Sequence, residues 1–285
     1  MRERIKINVS QPDVALYGDI VYGNYFNDWM QENIPLKLCL LRPFLDPFQW
    51  EKLPLLIWVG GGAYRNSAPL LYAPKLTRFA LSGYVVASVQ YRVSSEGLFP
   101  AQIQDVKQSI RFLRQHAGQY GIDPERVAIG GDSAGGHLAT LAGLGAGVKA
   151  FESDEWPDAD DSVKAVINWY GGGDLEPRLR EGMTPEEKTL PFTLLLGGDI
   201  EEKTELARLA SPSNYITAGA PPFLIMHGSE DTLVPLDRGE ALYDRLIGAG
   251  ARAELYILDG AGHGTAEFAQ PEIQEIMLGF LRRYV

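Results

Sequence analysis

One stretch, RVAIGGDSAGGHLATLAG at residues 126–143, limits what this chain can fold into more than any other. It reads as a short apolar strand, a knot of small residues around Ser133, and a helix rich in alanine and leucine. Gly131 stands two residues before the serine and Gly135 two after it. A serine hydroxyl is a weak nucleophile until a base takes its proton, and it must project clear of a sheet to meet a substrate. A sharp strand-to-helix turn supplies that projection, and the G-x-S-x-G spacing in this context marks such a turn. The helix N-terminus adds partial positive charge where negative charge would develop. The competing reading is a structural glycine turn with an incidental serine. The strand before it and the helix after it weigh against that reading.

The rest of the chain repeats the strand-and-helix rhythm. DIVYGNYF and LKLCLL have strand-like composition, and prolines then break the chain in RPFLDPFQWEKLP. LPLLIWVGGGAY, GYVVASVQYRV, DPERVAIGG, VKAVINWYG and PPFLIMHGS are short apolar runs, as expected of strands buried on both faces of a parallel sheet. ARAELYILDG supplies a further strand. Between such runs, Ile103, Val106, Ile110 and Leu113 form a helical stripe, and Ile273, Ile276, Met277, Phe280 and Leu281 form another near the C-terminus. DRGEALYDRLIGAG reads as a helix between two strands. The alternation predicts an α/β fold: a mostly parallel central sheet with helices on both faces. Residues 171–213 are polar, glycine-rich and too long for an ordinary connection, so they read as a modest lid-like insertion over the site. The expectation is a single domain over residues 1–285.

Charge and cysteine content narrow the function classes. The formal net charge of −11 argues against nucleic acid and anionic membranes as partners. MRERIKINVSQPDV lacks the apolar run of a secretory signal, and no stretch approaches the roughly 20 apolar residues of a membrane span. The single cysteine, Cys39, lies between leucines and reads as a buried small hydrophobe. A cytoplasmic protein is expected. The four histidines and one cysteine show no zinc-ligand spacing, so neither a metal nor an organic cofactor is expected.

Ser133 needs a base, and four histidines are available. His116 precedes the serine near a helix end and reads as solvent-facing. His137, one turn into the helix after Ser133, is too tied to that helix to swing over the hydroxyl and reads as packing. His227 closes a strand, ahead of Glu230 and Asp231, the acids that follow that strand. With G-x-S-x-G on a strand-to-helix turn, the chain order of the three groups is serine, acid, histidine. His263, in the glycine-rich loop LDGAGHGTAEF after a strand, satisfies it. For the orienting acid, Glu230, Asp231 and Asp174 all follow strands, and position alone does not separate them. Backbone N–H groups in IWVGGGAYRNS, at an early strand end, are candidate oxyanion donors, and the N–H of Ala134 would complete the hole. Tyr64, Trp169 and Tyr170 flank this region and are candidate pocket residues, against ordinary core packing as the alternative.

SVQYRVSSEGLFPAQIQDVKQSIRFLR, GIDPERVAIGGDSAGGHLA, LARLASPSNYI and HGSEDTLVP together resemble the α/β-hydrolase superfamily. The resemblance is greatest to small bacterial esterases related to feruloyl and acetylxylan esterases and to the hormone-sensitive-lipase group. It runs from about Leu53 to the C-terminus, while the first 50 residues match only loosely. It implies Asp231 as the acid and His263 as the base of a Ser-His-Asp triad with Ser133. It implies Gly62 and Ala63 as oxyanion donors beside Ala134. The family's loop usually reads His-Gly-Gly-Gly, and here Gly60 takes the histidine position, so the loop is expected to lack a brace. The implied activity is a serine carboxylesterase acting on small esters, with acetylated or feruloylated sugars among the candidates, and the length of the insertion with the aromatics before it points to short acyl groups. An aryl-formamidase-type amidase would share this chemistry, and a non-catalytic ligand-binding protein would have lost a member of the triad. Oligomeric state is not legible.

Overall fold

The computed structural model describes residues 3–46, 51–153, 155–156, 159–176 and 191–285. The chain opens with a long antiparallel hairpin, β1 (Asp13–Asn27) and β2 (Glu32–Phe44). Then follow β3 (Leu53–Val59), α1 (Ala73–Leu81), β4 (Val85–Val89), α2 (Ala101–Gln115) and a short α3 (Ala117–Tyr120). Next come β5 (Ile122–Asp132), α4 (Ala134–Leu144) and β6 (Ala165–Trp169). Two short helices, α5 (Phe192–Leu196) and α6 (Thr204–Leu209), precede β7 (Phe223–Gly228), α7 (Leu236–Gly248), β8 (Ala253–Leu258) and α8 (Pro271–Tyr284).

These strands form one eight-stranded sheet in the order β1-β2-β4-β3-β5-β6-β7-β8. β1 and β2 pair antiparallel with their neighbours, and the ladders from β4 to β8 are parallel. β4, β6 and β7 are buried from end to end, which is why their sequences are continuous apolar runs rather than alternating ones. On one face, Leu76 and Phe79 of α1 and Met277, Phe280 and Leu281 of α8 pack on Trp58, Ile167 and Met226. On the other, Ile103 and Ile110 of α2, Leu138 and Leu141 of α4 and Leu246 of α7 pack on Ile57, Ile129, Val166 and Ile225. The loosely matching N-terminal segment thus extends the sheet by two antiparallel strands. Cys39 is buried within β2.

β3 connects through α1 to β4 on one side, and β4 then crosses back through α2 to β5 on the other side of β3. The crevice at the carboxyl ends of β3 and β5 is the point where strand order reverses, the place where open α/β sheets bind ligands. The loop after β3 and the Ser133 turn after β5 flank it.

Part of the expected insertion, residues 177–190, lies outside the described residues. Its two ends are fastened together. The Asp174 carboxylate accepts from the Ser213 N–H at 2.8 Å and pairs with Arg245 on α7. The buried Ser211 hydroxyl accepts from the N–H groups of Leu175 and Glu176 at 3.0 and 3.1 Å and donates to the Ala207 carbonyl at 2.8 Å. Among the described residues, no helix is long and apolar enough to cross a membrane.

Candidate active site

Ser133 sits between β5 and α4 with φ 51° and ψ −123°, a backbone that residues with a side chain rarely adopt. A Cβ at Gly131 would lie 2.4 Å from the Gly135 carbonyl oxygen, and one at Gly135 would lie 2.0 Å from that of Val59. Glycine therefore stands two before and two after the serine because the turn is folded flat against itself and against β3. The Ser133 N–H donates to Trp169 O at 2.9 Å and the His137 N–H to Ser133 O at 3.1 Å, pinning the turn from both sides.

Three polar side chains from distant loops line up here. Ser133 Oγ lies 2.9 Å from His263 Nε2, and His263 Nδ1 lies 2.7 Å from Asp231 Oδ2. An ionised carboxylate only accepts, so Nδ1 carries the proton and Nε2 is free to accept from the serine hydroxyl. Asp231 is held in turn: its Oδ1 accepts from the N–H groups of Leu233 and Val234, each at 2.9 Å. The buried His227 closes this loop by donating from Nε2 to Val234 O at 2.8 Å. The three candidate acids thereby separate. Asp231 meets His263, Glu230 is exposed, and Asp174 is engaged at the neck of the insertion. His116 is half-buried rather than solvent-facing, because its ring stacks on Phe112 at 4.2 Å.

The loop after β3 carries three consecutive residues with positive φ: Gly62 at 147°, Ala63 at 54° and Tyr64 at 57°. The N–H groups of Gly62 and Ala63 find no acceptor among the described residues, whereas that of Gly61 donates to Asp132 Oδ1 at 3.2 Å. The expectation of an unbraced loop does not hold. A Cβ at Gly60 would lie 2.2 Å from the Tyr72 ring, so tyrosine occupies the space that the absent histidine leaves. Tyr72 Oη donates to Asp132 Oδ2 at 3.1 Å, Trp58 Nε1 donates to Asp132 Oδ1 at 3.1 Å, and Tyr91 Oη donates to Gly60 O at 3.0 Å. Asp132 thus gathers donors from β3, the loop and Tyr72, and burial raises its carboxyl pKa above the ordinary value despite them. Sequence reading passed over Asp132. Its place directly before Ser133 in the turn is the one signal the sequence offers, and the donors that meet it come from distant segments.

The candidate pocket aromatics divide. Tyr64 is buried in the loop's underside, with its hydroxyl on His137. Trp169 packs edge-on against Trp58 at 5.0 Å in the α1–α8 core. Tyr170 sets its ring edge against His263 at 4.7 Å. Among the described residues, no three His, Cys, Asp or Glu side chains converge as a metal site.

Comparison with known proteins follows the same lines. Esterase LipC of Mycobacterium tuberculosis is 34% identical over 256 residues, covering 88% of this chain and 59% of LipC. The chain thus spans only part of that relative's length, and about half of two further mycobacterial esterases. Among solved structures, a truncated carbohydrate esterase from gut microbiota superposes with a TM-score of 0.79 at 28% identity, over 94% of this chain and 95% of that one. The thermophilic esterase Est2 of Thermogutta terrifontis gives 0.76 at 27% identity, over 95% and 92%. The BD-FAE family model matches residues 44–246, a span that holds Ser133, Asp231 and the loop after β3. On that match, and on a sheet and turn of this design, the chain belongs to the BD-FAE family and has the α/β-hydrolase fold.

Proposed function

We propose that this chain is a serine carboxylic ester hydrolase for short-chain acyl esters, acetylated sugars foremost. The observation that carries the proposal is the unbroken hydrogen-bonded string from Ser133 Oγ through His263 to Asp231. It opens at the crevice beside the N–H groups of Gly62, Ala63 and Ala134. In the cycle, Ser133 Oγ attacks the ester carbonyl carbon while its proton passes to His263 Nε2. The oxyanion that forms is held by the Gly62, Ala63 and Ala134 N–H groups, and losing one such donor typically costs about 3 kcal/mol. Collapse breaks the carbon–alkoxy bond, and His263 returns the proton to the departing alcohol. Water then attacks the acyl-serine, giving its proton to His263, and the second tetrahedral intermediate releases the carboxylic acid as Oγ regains a proton. Asp231 keeps the imidazole in the working tautomer and stabilises its charged form. Tyr170 meets the His263 ring at 4.7 Å, and the length of the segment that starts at residue 171 favours a partly closed pocket.

The solved relatives support the small-acyl reading. One is a carbohydrate esterase, and Est2 is known with propionate and with butyrate bound. The test is a panel of chromogenic esters from acetate to octanoate, with an acetylated sugar and a feruloyl ester, run alongside labelling by a tagged fluorophosphonate. The expected result is label on Ser133 and the highest kcat/KM from acetate to butyrate. An unlabelled Ser133 overturns the hydrolase reading, and a preference for octanoate overturns the small pocket.

A further inference from the structure

We infer that His137 is a positioning residue of the oxyanion loop, acting through Tyr64 to hold the Gly62 and Ala63 N–H groups relative to Ser133. The inference rests on the esterase reading above and assigns work to a buried pair that this reading does not use.

The loop needs holding. Ala63 and Tyr64 both take left-handed backbone angles, which non-glycine residues keep only where their surroundings over-determine them. Tyr64 is 2% exposed, and its hydroxyl lies 2.8 Å from His137 Nδ1, with the two rings edge-to-face at 5.9 Å. On the other side of the imidazole, His137 Nε2 lies 2.7 Å from the Ala210 carbonyl oxygen. A carbonyl can only accept, so Nε2 carries the proton, Nδ1 is bare, and Tyr64 donates to it. The geometry therefore permits one tautomer. Because His137 is fully buried, no water competes for either bond.

His137 is well placed to relate the two halves of the site. It lies one turn after Ser133 on α4, and its own N–H donates to the Ser133 carbonyl. Its backbone thus closes the turn that aims the nucleophile, while its ring fixes the loop that would bind the oxyanion. Ala210 follows α6 directly and precedes the Ser211 clasp, so the same imidazole also anchors the end of the insertion. Freedom in the loop before reaction would have to be lost in the transition state, because preorganised donors are what make such a hole effective. The ring's effect should therefore fall on kcat rather than on substrate binding.

Tyr64→Phe deletes one O–H group and keeps the ring. His137→Asn keeps an acceptor near the Nδ1 position. Both are to be assayed for kcat, KM and the rate at which a fluorophosphonate modifies Ser133, with a thermal melt to check folding. Tyr64→Phe should lower kcat and the modification rate together by about tenfold, with KM held within about twofold. His137→Asn, if folded, should stay within about threefold of the parent, since Tyr64 still finds an acceptor. Modification of Tyr64→Phe at the parent rate overturns the inference, as does a change confined to KM or to the melting temperature. A folded His137→Asn as slow as Tyr64→Phe also overturns it. If Ser133 in the parent protein resists the reagent altogether, the esterase reading fails first and this inference falls with it.

Discussion

Gly60 shows a lost side chain replaced from elsewhere in the chain. The family histidine is absent, yet Tyr72 fills the space and bonds to Asp132 beneath the loop. Adding histidine at position 60 should therefore overpack the site. Gly60→His is expected to lower stability by about 1–3 kcal/mol and to lower kcat as well, read from thermal melts and steady-state rates. A stable variant with higher kcat would mean that Tyr72 moves aside at no penalty. The three acids are separable at the same scale. Asp231→Asn should reduce turnover by about 10⁴-fold through loss of tautomer control, while Glu230→Gln, at an exposed carboxylate, should stay within a few-fold. Equal effects from the two would remove Asp231 from the role proposed for it.

At the scale of elements, the insertion is held by its neck. Ser211→Ala would strip the acceptor from two backbone N–H groups in a buried setting, with an expected loss of about 1–3 kcal/mol. Limited proteolysis should then cut within residues 171–213 sooner than in the parent. Unchanged cleavage there would show that other contacts hold the segment. Asp174→Asn belongs to this scale too, since it loosens the pairing with Arg245 and should trouble turnover far less than Asp231→Asn. α2 is the other element whose character needed the fold. Its sequence shows an apolar stripe, yet its Lys107 and Arg111 are also buried, paired with Glu152 and Asp161 across the connection that leaves α4. That connection supplies the carboxylates which allow two cations to lie beneath the surface, and nothing local to α2 announces them.

For the molecule as a whole, two buried histidines set part of the acid stability. Burial pushes His137 down to about 4, and it lowers His227 as well. Below pH 6.5 the unfolded chain binds protons that folded His137 does not take up until about pH 4. Stability is therefore present above pH 6.5 and lost as pH falls toward 4, by about 3 kcal/mol from His137 alone. Asp132 acts with the opposite sign, because its raised pKa favours protonation in the folded state. Comparison with His137→Gln isolates the histidine: urea midpoints at pH 7, 5.5 and 4.5 should fall less steeply for the variant. Parallel slopes would refute the assignment.

The strand-to-helix turn at Ser133, the buried parallel strands and the helical stripes were determined by the sequence alone, because each is a local constraint. Two glycines relieve one tight corner, an apolar run can only be buried on both faces, and a stripe repeats within a few residues. The residues alone left Glu230, Asp231 and Asp174 undivided and left Gly60 looking unbraced, and they gave His137 and Asp132 no part. Those questions turn on contacts between residues as far apart as Tyr72 and Asp132, Asp174 and Ser213, or His137 and Ala210. No local pattern encodes which distant group will arrive within hydrogen-bonding distance. Only the crossing of β4 past β3 to β5, and the folding back of the insertion, brought them together.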